Sequence, residues 1–268
     1  MLQKTASKIK KLGQAIKAIE TVAHEKACAL LLAGGSGTRM GDDGLPKQHR
    51  LLFGIPIVVR SALALQEAET VDEIVAVIRD GEEALYEGYV RDYSLTKLRR
   101  FVVGGKTRQE SAMRGLEALP EGCKYVAIHD AARCLVTPSE VDAVVSDAIV
   151  YKAATAAAQS VDTVKLSDPS GGFTLSEGQP SRSHVYIIQT PQVFDADLYR
   201  AAVTLAADKK EKTGVEITDD CALIEQMGGR CRLTLCSRQN FKITTEEDLL
   251  LAEAILRRRE ESAQNSTQ

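Results

Sequence analysis

Apolar residues along this chain come in short unbroken runs that end at glycine or charge, and longer stretches with helical spacing separate them. The run at 28–33 stops at Gly34 and Gly35, which suits a fully buried parallel strand better than a helix of normal length. Similar runs at 73–78, 101–103, 125–129 and 153–158 predict further strands, and 231–235 reads as a late strand. Between them the pattern predicts helices at 56–66, with Pro56 in the first turn, and at 82–98, 112–119, 138–151, 196–207, 217–227 and 245–258. This alternation predicts an α/β fold with a doubly wound, mostly parallel sheet. Ligands of such sheets bind at the carboxyl ends of the strands.

The rhythm breaks once. Residues 162–186 carry a turn from Asp168 to Gly172 between two alternating segments, which predicts a protruding β-hairpin arm at about 161–187. Its edges need covering, and a two-fold partner is one way to cover them.

Composition narrows the partners. A formal net charge of −3 gives no electrostatic case for nucleic acid or an anionic membrane surface, so any phosphate ligand has to be held by local cations. With 268 residues, 44% hydrophobic and 26% charged, the chain can bury one large core. The pattern divides it into a lysine-rich helical extension at 1–26, a main domain at 27–260 and a disordered tail at 261–268. The six cysteines show no metal-binding or disulfide spacing, and reduced thiols fit a cytoplasmic protein. No apolar stretch is long enough to span a bilayer, and the N-terminus lacks the apolar core of a signal peptide.

Candidate chemistry gathers at the strand ends. Gly34, Gly35 and Gly37 allow backbone N–H groups to approach phosphate oxygens, yet the spacing is neither the dinucleotide fingerprint nor a P-loop. Arg39 and Lys47 follow it, either as solvated surface charge or as cations for a phosphoryl group in transfer. The segment 104–111 offers Gly104, Gly105, Arg108 and Ser111 before a helix, as a cap, a ligand loop or both. The strand at 125–129 delivers His129, Asp130 and Arg133. Asp130 reads either as a helix cap paired with Arg133 or as a magnesium or hydroxyl ligand, and His129 as a structural hydrogen-bonding residue. Thr218, Asp219 and Asp220 form a helix-capping sequence, and residues 245–248 a capping box.

Taken together, AGGSGTRMG, PKQ, GGKTRQES, HDAAR, DTVK, QTPQVF, TDD and FKITTEEDL resemble, in order, the blocks of the sugar- and alditol-phosphate cytidylyltransferases, with the 2-C-methyl-D-erythritol 4-phosphate enzymes nearest. That resemblance implies a Rossmann-like nucleotidyltransferase fold and transfer of cytidylyl from CTP to an alditol phosphate, in the non-mevalonate route to isoprenoids. It implies that Arg39, Lys47 and Lys242 are catalytic. It also implies that Ala33, Gly34, Gly35, Gly37, Gly105, Arg108, Ser111, Asp130 and Ala131 bind the nucleotide. Asp130, Arg133, Thr163, Arg182, Thr190 and Thr218 would contact the acceptor, and Asp130 would also serve Mg2+. In a homodimer, the arm would carry Thr163 and Arg182 into the neighbouring site. Where the family has proline after HDAAR, this chain has Cys134. Ribitol 5-phosphate is the alternative acceptor, and a non-catalytic nucleotide sensor the remaining rival.

The implied reaction needs no general base, because a phosphate monoester is mostly ionised at neutral pH. What it needs is alignment of two anions and stabilisation of charge at the α-phosphorus.

Overall fold

The strand β1 (Ala27–Leu32) is buried along its length, so it takes the middle of the sheet. It pairs in parallel with β4 (Val71–Ile78) on one side and β6 (Tyr125–Asp130) on the other, while β5 (Leu98–Val103) extends the β4 edge. This computed structural model describes residues 25–35, 46–166, 180–213 and 219–265, with 207–213 described by backbone alone. The 1–26 extension therefore lies outside the described residues except for its last two.

On the other side the order runs β6, β8 (Tyr186–Asp195), β7 (Ala153–Gln159) and β9 (Arg232–Leu235). Here the expected alternation gives way. β8 runs antiparallel between β6 and β7, and the residues before it form the base of the arm, where Gln159 faces Tyr186 and Ser160 N–H donates to Val185 O at 2.9 Å. The chain leaves β7 at Gln159 and re-enters the main sheet at Tyr186. Residues 167–179, which include the turn of the expected hairpin arm, lie outside the described residues.

Helices cover both faces. α1 (Ile57–Glu67), α2 (Glu83–Asp92) and α4 (Pro138–Tyr151) bury Val58, Leu65, Tyr86, Val141 and Val145 on one face. α3 (Arg108–Glu117), α5 (Ala196–Thr213) and α6 (Asp220–Gln226) bury Leu116, Tyr199, Val203 and Leu223 on the other. A short antiparallel pair, β2 (Leu51–Leu52) and β3 (Ile55–Pro56), packs with the last helix, α7 (Glu246–Asn265), through Leu52, Ile57, Ile243 and Ala252. Cys134 is buried in that cluster, so the residue replacing the family's proline serves as a small apolar filler.

Several helix boundaries differ from expectation: the helix expected over 112–119 spans Arg108–Glu117, and the one expected over 196–207 continues to Thr213. The helix expected over 82–98 stops at Asp92, because Ser94 turns to φ 52° and Leu98 already belongs to β5. The tail expected to be disordered from 261 is helical through Asn265, since Glu260, Glu261, Ala263 and Gln264 all favour helix. The capping box of α7 is present. Asp248 Oδ2 accepts from Thr245 N–H at 2.8 Å, and Thr245 Oγ1 accepts from Asp248 N–H at 3.3 Å.

Candidate functional site

Asp130, the last residue of β6, is the hub of the carboxyl edge. Its carboxylate accepts from Lys242 Nζ at 2.8 Å, and Arg108 Nε and Arg133 Nε lie 3.4 Å and 3.8 Å away. Burial alone would raise this carboxyl, but Lys242, Arg108 and Arg133 outweigh it and hold Asp130 well below the usual carboxylate range. Three segments far apart in sequence thus place their cations around one anion.

Behind the hub lies a chain of buried polar groups joined to one another, in which His129 Nε2 and Asn240 Oδ1 have no hydrogen-bond partner among the described residues. Thr190 Oγ1 accepts from Asp130 N–H at 3.0 Å and shares a 3.0 Å hydrogen bond with His129 Nδ1. Asn240 Nδ2 donates to Thr190 O at 2.9 Å. His129 is fully buried, and burial pushes its pKa down to about 4, so it stays neutral at ordinary pH and acts as a structural hydrogen-bonding residue. Thr190 was expected to touch the acceptor. In the structure it is buried beside Asp130 and supports it.

Arg108 is held from the other side by Asp220. Its Nη1 donates to Asp220 Oδ2 at 2.6 Å, Tyr199 OH donates to Asp220 Oδ1 at 2.7 Å, and Asp220 N–H donates to Gln192 Oε1 at 3.0 Å. Burial would lower the Arg108 guanidinium, but Asp220 and Asp130 more than compensate and raise it above an ordinary arginine. Sequence reading took both aspartates of TDD as capping residues. Only Asp219 caps α6, its side chain accepting from Ala222 N–H at 2.8 Å. The surplus carboxylate beside a used cap was the signal for Asp220. Nothing in the sequence pointed to Tyr199, and Gln192 lay within QTPQVF with no role assigned.

The other two loops complete the edge. Gln48 Nε2 donates to Ala33 O at 3.0 Å and Lys47 Nζ to Ile243 O at 3.2 Å, tying the turn after the glycine loop to β1 and to the segment carrying Lys242. In the 104–111 loop, Gly105 N–H donates to Ser111 Oγ at 3.0 Å, and Ser111 Oγ donates to Thr107 O at 2.9 Å. A side chain at Gly105 would run into Glu110, so the loop closes on its own helix only with glycine there. Thr107 caps α3 by accepting from Glu110 N–H at 3.1 Å, so capping and site-building coexist.

These loops enclose three adjoining cavities. One of about 330 Å³ lies among Gly34, Gly35, Gly105, Arg108, Ser111 and Asp130, and a smaller one of about 90 Å³ lies between Ala33, Lys47, Asp130 and Ala131. A third, of about 300 Å³, opens toward the base of the arm, lined by Arg133, Ser160, Asp162, Gln189, Arg238 and Lys242. Lys242 lines all three. Of the expected site residues, Gly37, Arg39 and Thr218 lie outside the described residues. Thr163 and Arg182 sit at the base of the arm, and Arg182 Nη1 donates to Val161 O at 3.4 Å. Arg238, which sequence reading passed over, lines the third cavity.

Among the described residues the donor set does not build a cation site. Asp130 is the only carboxylate among the described residues lining the first two cavities, and both its oxygens already face cations. Among the described residues no group of three or more His, Cys, Asp or Glu could hold a metal ion. The direct Mg2+ contact expected of Asp130 is therefore at odds with this arrangement. Among the same residues no helix is long and apolar enough to cross a membrane.

The family model for 2-C-methyl-D-erythritol 4-phosphate cytidylyltransferase (IspD) matches residues 27–258. A protein of that name from Pelotomaculum thermopropionicum is 37% identical over 237 residues, covering 88% of this chain and 96% of the relative. Another from Desulforamulus reducens is 38% identical over 232 residues, covering 86% and 96%. The solved structure of 4-diphosphocytidyl-2C-methyl-D-erythritol synthase from Anaerococcus prevotii superposes with a TM-score of 0.74 at 28% identity, covering 87% of this chain and 99% of that one. On sequence and fold alike, the chain belongs to the 2-C-methyl-D-erythritol 4-phosphate cytidylyltransferase family.

Proposed function

We propose that this protein transfers the cytidylyl group of CTP to 2-C-methyl-D-erythritol 4-phosphate, giving CDP-methylerythritol and pyrophosphate. The observation that carries the reading, beside family membership, is the position of Lys242 where the nucleotide-side and arm-side cavities meet. An oxygen of the acceptor phosphate attacks the α-phosphorus there. One P–O bond forms, the bond to the bridging oxygen of the β-phosphate breaks, and pyrophosphate departs with that electron pair. No proton moves. Lys242 and Lys47 stabilise the charge that builds on the α-phosphoryl oxygens, and their ammonium groups are placed before substrate arrives, Lys242 by Asp130 and Lys47 by the Ile243 carbonyl. Arg39, which lies outside the described residues, has the same catalytic role by the family resemblance.

The base occupies the cavity against Gly105 and Ser111, with Arg108 beside it. Mg2+, when bound, offsets triphosphate charge and is held by phosphate oxygens in preference to Asp130. Arg133 faces the acceptor, and Thr163 and Arg182 reach it from the arm of a second subunit. The exposed Val161, Leu166 and Ile187 around the arm support that dimer, since apolar side chains at an excursion's base gain from being covered.

A pyrophosphate-release assay tests the reading. CTP with 2-C-methyl-D-erythritol 4-phosphate should turn over, ribitol 5-phosphate in parallel should not, and UTP should be disfavoured by roughly 1–3 kcal/mol because the wrong base leaves buried polar groups unpaired. Faster turnover with ribitol 5-phosphate would reassign the acceptor, and equal turnover of UTP would remove the base from the Gly105 loop.

A further inference from the structure

The arm-side cavity contains a cation that neither the motifs nor the hub accounts for. Arg133 and Lys242 line it, but both are spent in part on the hub. Lys242 donates to Asp130, while Arg133 faces Asp130 and donates from Nη1 to Asn240 O at 3.1 Å. Arg238 is the third cation of the lining. Among the described residues its side chain has no hydrogen-bond or ion-pair partner.

Its backbone, in contrast, is firmly held. Arg238 and Gln239 occupy the middle of a turn closed by Asn240 N–H donating to Ser237 O at 3.2 Å. Ser237 N–H donates to Glu140 Oε1 at 2.6 Å, and Ser237 O also accepts from Gln189 Nε2 at 3.1 Å. Asn240 Nδ2 bonds Thr190 O, so the turn is fixed to the strand that supports Asp130. The two central side chains divide the space, because Gln239 Oε1 turns to α7 and accepts from Arg259 Nη2 at 3.0 Å while Arg238 lines the cavity. An arginine with unspent donors on a rigid turn is suited to bidentate capture of a phosphate. The rest of the lining fits the remainder of such a molecule, with Ser160 and Asp162 for hydroxyls and Ala158, Val161 and Phe241 for carbon.

We infer that Arg238 is a substrate-specificity residue, binding the phosphate of a polyol phosphate acceptor from within the same chain. This rests on the cytidylyltransferase reading and adds to it a cis contact independent of the arm. The test uses the full-length enzyme with CTP and 2-C-methyl-D-erythritol 4-phosphate. Arg238→Ala should raise the acceptor KM about ten- to a hundredfold, as for loss of one charge-assisted contact, and leave the CTP KM and the thermal midpoint unchanged. Arg238→Lys should restore part of the loss, since it returns the charge without the planar fork. An acceptor KM that stays within twofold of an active wild type overturns the inference and leaves the functional reading standing. A wild type that transfers cytidylyl to neither alditol phosphate overturns both.

Discussion

Asp220→Asn separates positioning from mere stability. The native carboxylate is 2% exposed and binds Arg108 and Tyr199 at 2.6 Å and 2.7 Å. Breaking a fully buried ion pair costs about 3–5 kcal/mol. Here the cost is smaller, because the Arg108 side chain is 32% exposed and keeps Asp130 at 3.4 Å, so water and the hub take up part of its charge. Asparagine also retains an acceptor for Tyr199 OH and the backbone N–H for Gln192. The net loss is about 1–2 kcal/mol, and since about 1.4 kcal/mol is tenfold in affinity, the CTP KM should rise roughly tenfold. The acceptor KM should stay within about twofold, because Arg108 lines the nucleotide cavity and not the arm-side one. Steady-state kinetics with each substrate varied in turn, beside thermal unfolding, reads all of this. A lowered thermal midpoint with an unchanged CTP KM would show that Asp220 only holds α6 to β8, and the positioning argument would fail.

Lys242→Met, which keeps the stem and removes the charge, should lower kcat by about 10²-fold or more, as for one preorganised transition-state contact, and a change confined to KM would refute the role. His129 gives a pH signature. Its pKa is 6.5 when unfolded and about 4 when folded, so between those values the unfolded chain binds more protons and stability falls as pH drops through the window. The total is about 3 kcal/mol, Asp130 stays ionised throughout, and His129→Gln should flatten the dependence of the unfolding midpoint between pH 7 and 5; parallel curves for the two proteins would sink the assignment. If the arm crosses between subunits, mixing Arg182→Ala and Lys47→Ala chains should restore activity in the heterodimer. Activity at the parental level after confirmed subunit exchange would place Arg182 in its own subunit's site.

What the sequence made legible follows from what is local. The strand ends at Gly34, Gly104 and Asp130 were readable because a buried run and its terminating glycine or charge are neighbours in the chain. The α4 helix matches its expected 138–151 span because Thr137, Pro138 and Glu140 write its start into the sequence. β8 was hidden for the opposite reason. Its antiparallel insertion between β6 and β7 is a long-range pairing that alternation cannot signal. The site divides the same way. Asp130, Arg108 and Lys242 were found from motifs, but apart from the local Asp130–Arg133 pair what each holds was not, since the partners lie 112 positions apart in both Arg108–Asp220 and Lys242–Asp130.

That separation bears on what Asp130 does. Like charges a few ångströms apart repel by about 1 kcal/mol in bulk water and several times more near a protein surface, so Arg108, Arg133 and Lys242 would not converge unaided. A single carboxylate within 3.8 Å of all three makes their convergence favourable and still leaves the edge positive. Removing it would strengthen the raw attraction for a triphosphate, yet it would release the cations into many rotamers, and catalysis depends on donors fixed where charge develops. Supporting Asp130 are Thr190, His129 and Asn240, buried groups bonded to one another and to its backbone. The site therefore gives up some affinity for its anionic substrates in exchange for fixed geometry, as transfer between two mutually repelling phosphates requires.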